Sequence, residues 1–144
     1  MREVIRMIEI VEAYPFVKVL KYLTLLQKKF EKTQGGVVVI EEIDGEEYKV
    51  VIKYLKPWIR IYLPLGNLKD FPEEKRNEVM EKLLQLTFEY AEVSFGIDED
   101  GNIFAVEDIY QEALTMDVFE EEYGAVPFAV ELFKKEVMPL KEGK

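Results

Sequence analysis

Residues 37–63, VVVIEEIDGEEYKVVIKYLKPWIRIYL, decide the fold class. Val37 to Ile43 is a short β-branched run. Asp44-Gly45 then supplies a pair favoured at the centre of a tight hairpin turn. From Glu47 to Tyr54 the chain alternates, with Tyr48, Val50, Ile52 and Tyr54 on one side and Glu47, Lys49 and Lys53 on the other. Val51 is the exception on the polar side. Pro57 has no backbone N–H to donate and breaks the run. Trp58 to Leu63 alternates again, Ile59, Ile61 and Leu63 against Trp58, Arg60 and Tyr62. Strands joined by hairpins in this way predict an antiparallel sheet.

Upstream of this stretch, residues 2–33 carry a helical period: Val4, Ile5, Ile8 and Val11, then Phe16, Val19, Leu20, Leu23, Leu26 and Phe30. Pro15 kinks that helix or opens a second one, and Gly35-Gly36 suits a left-handed C-cap. Downstream, a helix is predicted from Asp70-Phe71-Pro72, with Asp70 as N-cap and an apolar face of Val79, Met80, Leu83, Leu84, Thr87 and Tyr90. Two strands, Glu92 to Ile97 and Asn102 to Glu107, flank a turn at Asp98-Glu99-Asp100-Gly101. Thr115 is placed to cap a helix from Met116. Gly124 and Pro127 interrupt it before Phe128 to Val137, leaving one bent helix or two. The predicted order is αβββαββα, an α+β domain over residues 1–144 with a mostly antiparallel five-stranded sheet. Within it, 1–35 form a helical N-terminal region, 36–140 the sheet and remaining helices, and 141–144 a frayed tail.

Composition narrows the chemistry. The chain has neither cysteine nor histidine. Disulfides, thiolate metal sites and a cysteine nucleophile are excluded, and the commonest general base and transition-metal ligand is missing. A hydrolase or a transition-metal enzyme is therefore disfavoured, and no cofactor is expected. With 29 acidic residues against 19 basic ones, a net charge of −10 opposes both nucleic acid and an anionic membrane surface. Charges at Arg2, Glu3, Arg6, Glu9 and Glu12 break up any signal-like apolar run, so a cytoplasmic protein is expected. The Glu- and Lys-rich, cysteine-free composition matches the hyperthermophile trend.

Several residues are candidates for function. A calcium loop starting at Asp98 would need glycine and glutamate where Ile103 and Ile109 stand, so Asp98-Glu99-Asp100-Gly101-Asn102 is read as a polar hairpin turn. Glu120-Glu121-Glu122 spread around a helix rather than share a face. Glu107-Asp108 end a strand. With Asp117 and Glu120 they are the set from which a magnesium-dependent carboxylate site would be built, the alternative being solvated surface and a turn cap. Trp58, Arg60 and Tyr62 form either an open binding surface or core beneath a helix. Together with Met80 and Leu84 they are the candidate partner-binding residues. The remaining aromatics, Tyr90, Phe95, Phe104, Tyr110, Phe119, Tyr123, Phe128 and Phe133, are expected in the core.

Four segments carry a family likeness: the hairpin VVVIEEIDGEEYKVVIKY, the strand WIRIYLPLG, the helix EEKRNEVMEKLLQLTFEYA and the strand pair EVSFGIDEDGNIFAVEDI. In this order they resemble the type III secretion chaperone-like fold, which includes the bacterial YbjN-like proteins and archaeal relatives. The likeness covers most of residues 37–109, and the final helix extends it. It implies a homodimer that holds extended segments of an unidentified client protein, with no functional residue carried over by position. The expected function is thus a non-enzymatic, homodimeric, chaperone-like or adaptor module. The alternative is a carboxylate-based, magnesium-dependent enzyme or small-ligand sensor.

Overall fold

The computed structural model describes residues 14–142. The helix expected over residues 2–13 and the last two residues of the expected tail lie outside the described residues. The elements are α1 (Tyr14–Leu25), β1 (Lys29–Thr33), β2 (Gly36–Ile43), β3 (Glu46–Leu55), β4 (Trp58–Asn67), α2 (Arg76–Glu89), β5 (Phe95–Ile97), β6 (Asn102–Tyr110) and α3 (Met116–Leu132). Short 3₁₀ turns occupy Leu68–Asp70, Glu73–Lys75 and Gln111–Ala113, and a π turn and a 3₁₀ turn carry α3 on to Glu142. The strands form a six-stranded sheet in the order β1-β2-β3-β4-β6-β5. The β1–β2, β2–β3 and β5–β6 pairs are antiparallel.

The sheet thus has one strand more than the five expected, and residues 29–33 are the difference. Helix α1 stops at Leu25, and Gln27 turns the chain with φ at 59°. The Lys28 amide donates to the Leu23 carbonyl, which closes the helix end. Thr33 then pairs with Gly36 across a two-residue turn whose Gly35 has φ 77°. Gly35-Gly36 therefore builds a hairpin instead of a C-cap. Asp44 and Gly45, at φ 53° and 80°, make the tight β2–β3 turn that their dipeptide predicts.

The described residues divide into two compact units, 14–61 with 108–123 and 62–107 with 124–142. In the first unit, α1 buries Phe16, Val19, Tyr22 and Leu23, and the strands bury Val37, Val39, Val50, Ile52, Ile59 and Ile61. Each such aliphatic side chain contributes about 1.5–3 kcal/mol by leaving water. Phe16 meets Tyr54 edge-on at 6.0 Å, and Tyr22 meets Phe119 at 5.7 Å. Lys28 ties β2 to α3: its Nζ lies 3.1 Å from a Glu41 carboxylate oxygen and 5.6 Å from the centre of the Tyr123 ring. Burial, and secondarily the Glu41 charge, hold the Tyr123 phenol far above its ordinary pKa. Thr115 caps α3 as expected, its Oγ1 accepting from the Val118 amide at 3.2 Å.

In the second unit, α2 buries Val79, Leu83 and Leu86 against Phe71, Ile103, Phe133 and Val137. A smaller cluster joins Val93, Ala105, Ala129 and Leu132. Asp70 does not cap α2. It completes a capping box with Asn67, accepting from the Asn67 amide at 2.9 Å, and α2 begins only at Arg76. Helix α3 runs through Gly124 and Pro127 without ending, so the open choice resolves to one helix. Lys141, placed in the expected tail, lies in a 3₁₀ turn with its Nζ 5.8 Å from the centre of the Phe71 ring. No helix among the described residues is long and apolar enough to cross a membrane.

Two glycines separate close packing from open space. A Cβ at Gly36 would fall 2.5 Å from the Ile52 carbonyl oxygen, whereas one at helical Gly124 would meet nothing within 4 Å. Gly36→Ala is expected to lose about 1–3 kcal/mol through overpacking. Gly124→Ala is expected to gain about 0.5–1 kcal/mol through helix propensity. Urea unfolding of both variants checks the opposite signs.

Candidate functional site

Strand alternation settles which way the first unit's aromatic residues face. Along β4, Ile59 and Ile61 are fully buried, so Trp58 and Arg60 stand on the opposite side. Trp58 is 46% exposed and Tyr110 is 42% exposed. Their rings lie 5.4 Å apart, tilted by 60°. Next to them Arg60 grips Asp108 through a two-pronged bond, Nε donating at 2.8 Å and the terminal nitrogen at 3.0 Å. Of the two readings left open for this strand, Trp58 and Arg60 take the open surface. Tyr110, expected in the core, is a surface residue as well. The other aromatic of the strand, Tyr62, belongs to the second unit. It is half-buried, edge-on to Phe104 at 5.6 Å.

The second unit exposes a different surface on α2. Only Val79, Leu83 and Leu86 of the helix are buried. Met80 is half-buried, while Leu84 is 71% exposed and Phe88 92% exposed. Leu84, four residues before Phe88, shares its face. Leu84 therefore leaves the core face predicted for it and stays among the candidate binding residues. Phe88 was not anticipated, although its spacing from Leu84 was a visible signal. Glu81, Gln85 and Glu89 line the same surface, and Gln85 donates to Glu81 at 3.2 Å.

No family model matches the sequence, and no curated protein is detectably similar to it. Solved structures are similar in fold. A chain of the HopA1–SchA chaperone–effector complex aligns over 83% of this chain and 91% of its own, at 16% identity and a TM-score of 0.60. A chain of the heterodimeric ExoU–SpcU complex, from the type III secretion system of Pseudomonas aeruginosa, aligns over 86% and 98%, at 15% identity and a TM-score of 0.61. The fold is that of the type III secretion chaperones. YbjN from E. coli shares it, over 82% of this chain and 90% of its own, at 11% identity and a TM-score of 0.58.

Within this chaperone-like fold the acidic candidates are dispersed. Glu107 and Asp108 are neighbours on β6 and so point to opposite faces. Glu107 is 8% exposed, while Asp108 is engaged by Arg60. Asp117, Glu120 and Glu121 are solvent-exposed on α3. Among the described residues no three carboxylates come together as a metal site would require. The turn after β5 is a self-contained polar knot. Asp98 Oδ1 accepts from the Asp100 and Asn102 amides at 3.0 and 2.9 Å, and Asn102 Nδ2 donates to Asp98 Oδ2 at 3.0 Å. Asn67 adds bonds to the Asp100 carbonyl and Asn102 Oδ1 at 3.1 and 2.9 Å. Gly101, at φ 82°, supplies the left-handed step.

The Asn102 side chain, then the Asn102 amide, hold the Asp98 carboxyl below its ordinary pKa of 3.8. A lowered folded-state pKa means stability present above that ordinary value and lost as the pH falls through the folded one. The melting-temperature gap between the wild type and Asp98→Ala is expected to be widest near neutrality and to close below about pH 3.8. Thermal melts across an acid series read this directly.

Proposed function

We propose that this chain is a non-enzymatic protein-binding module that pairs with a second copy of itself and carries a protein client. The observation that carries the reading is the patch left open on β4 and β6, where the Trp58–Tyr110 ring pair stands beside the Arg60–Asp108 ion pair. Tryptophan, tyrosine and arginine are the residues that dominate interface hot spots. The ion pair adds no net charge, and it is self-complementary. A two-fold contact can set each Arg60 beside the Asp108 of the other copy, as a symmetric dimer requires. A client is supported by the fold neighbours, one from a chaperone–effector complex and one from a heterodimeric secretion complex. A cytoplasmic setting fits a chain without cysteine, which forgoes disulfides.

Sedimentation equilibrium at micromolar concentration is expected to give twice the chain mass. Trp58→Ala should weaken the dimer at least tenfold, on the scale of a hot-spot residue. Arg60→Asp and Asp108→Arg should each disrupt it, and the double exchange should restore it. Because these side chains are exposed, the melting temperature of each variant should stay within a few degrees of the wild type. A chain that sediments as a monomer throughout, or a dimer indifferent to all of these changes, would overturn this dimer.

A further inference from the structure

The exposed apolar side chains of the first unit gather at one end of it. Val17, Leu55, Trp58 and Tyr110 are each between 42% and 46% exposed. Leu55 and Trp58 flank the turn between β3 and β4, and Tyr110 ends β6 against Trp58. Among the described residues of this unit, Leu25 at the far end of α1 is the one other large apolar side chain on solvent. Helix α1 begins at the end that carries the other four. The Phe16 ring meets Tyr54, the Tyr54 hydroxyl donates to Gln111 Oε1, and the Gln111 amide donates to the Pro57 carbonyl. Residues 2–12 precede α1 and lie outside the described residues. The chain that they form therefore enters the fold beside the apolar end.

We infer that residues 4–11 fold back over Leu55, Trp58 and Tyr110 as a cover that a second copy must displace, an inference that rests on the pairing reading and gives its patch a regulator within the chain. The segment has the matching surface. Val4, Ile5, Ile8 and Val11 fall on one face of a helix, four aliphatic side chains that need apolar cover. The charges match as well. Glu9 and Glu12 stand three apart on one flank of that stripe. Lys53 and Lys56 are exposed on the strand and turn that border Leu55. Lys53 shares the outward side of β3 with Leu55, since Ile52 between them is buried. The reach is sufficient. Phe16 packs on the inward face with Tyr54, whereas Trp58 stands on the outward one, so the segment has to cross one layer, roughly 10 Å. Eleven residues span about 16 Å as a helix and more than twice that when extended. Tethering favours this occupant over a free one. A segment joined to its site by a few residues meets it at an effective concentration on the order of millimolar, about a thousandfold above a second copy at micromolar. Even a weak intramolecular contact therefore loosens the dimer.

The composition makes the test direct, because Trp58 is the sole tryptophan and the chain has no cysteine. The full chain is diluted until sedimentation shows it to be monomeric. Trp58 emission in that monomer is expected to resist quenching by acrylamide. Paired Ile5→Ser and Ile8→Ser should raise the quenching about twofold or more, move the emission to longer wavelength and tighten the dimer about tenfold. Paired Glu9→Lys and Glu12→Lys should act in the same direction, more weakly, and most at low salt. A nitroxide on Ile8→Cys should quench Trp58 in the monomer, whereas one on Leu25→Cys, at the far end of α1, should not. Circular dichroism checks the fold of each variant, and where the serine pair disturbs it the nitroxide chains decide. Trp58 freely quenched in the wild-type monomer, or a nitroxide at residue 8 without effect, would overturn the inference. So would protection that grows with protein concentration and ignores the serine pair, which would leave a second copy as the cover. Failure of these tests with an intact Trp58-dependent dimer sinks this inference alone. A chain that never dimerises while its Trp58 stays protected sinks the pairing reading instead, and the cover itself stands.

Discussion

The period of two along β4 and β6 is the constraint on which the rest of the structure depends. Ile59, Ile61 and Leu63 alternate with Trp58, Arg60 and Tyr62, and on β6 Ile103, Ala105, Glu107 and Ile109 alternate with Phe104, Val106, Asp108 and Tyr110. A slip of one residue would carry every isoleucine to the water side and every surface residue inward. The buried set holds the register because three of its members on β4 have no exposed surface. The outward set is then placed without any energetic demand of its own. Trp58 reaches Tyr110, and Arg60 reaches Asp108, because the inward residues leave them opposite one another.

Glu107 is fixed on the inward face by that register. Among the described residues it is the one charged side chain that is buried, and its neighbour Asp108 is the one that reaches solvent and Arg60. A carboxylate on the inward face costs free energy unless it is well partnered. The adjacency of two acids in sequence, which suggests a shared site, is undone by the same alternation that turns Trp58 and Arg60 outward. A pair of carboxylates acting on one ion must share a face, and consecutive strand residues cannot.

The legible and illegible parts of this chain differ in how strongly burial is written into the residues. Strands β2 to β4 were readable because Val50, Ile52, Ile59 and Ile61 combine β-branching with strict alternation, and Asp44-Gly45 marks the turn between two of them. Strand β1 was not. Its sequence KFEKT is exposed at four of five positions, with only Phe30 half-buried, so the period of an edge strand never appears. Phe30 instead fell four residues after Leu26 and prolonged a helical pattern. Helix α2 posed a different difficulty. Leu83 and Leu84 are adjacent, about 100° apart around the helix, and nothing local says which of them the core takes. The core takes Leu83, with Val79 and Leu86, which leaves Leu84 outside. Pro127 misled in the opposite direction, since a proline that removes one hydrogen bond was tolerated inside α3.

Leu84 and Phe88 can be exposed because the second unit is already closed without them. Phe71, Val79, Leu83, Leu86, Ile103, Phe133 and Val137 form its buried cluster, and neither Leu84 nor Phe88 belongs to it. A phenylalanine that is 92% exposed gains almost nothing from folding and presents apolar surface to water throughout the life of the protein. Trp58 and Tyr110 in the first unit, 46% and 42% exposed, also lie outside the buried set that fixes the strands. Buried and exposed residues therefore alternate on the same elements, and the fold is carried by the buried ones. Substitutions on the outward faces are therefore expected to disturb the fold less than those on the inward faces.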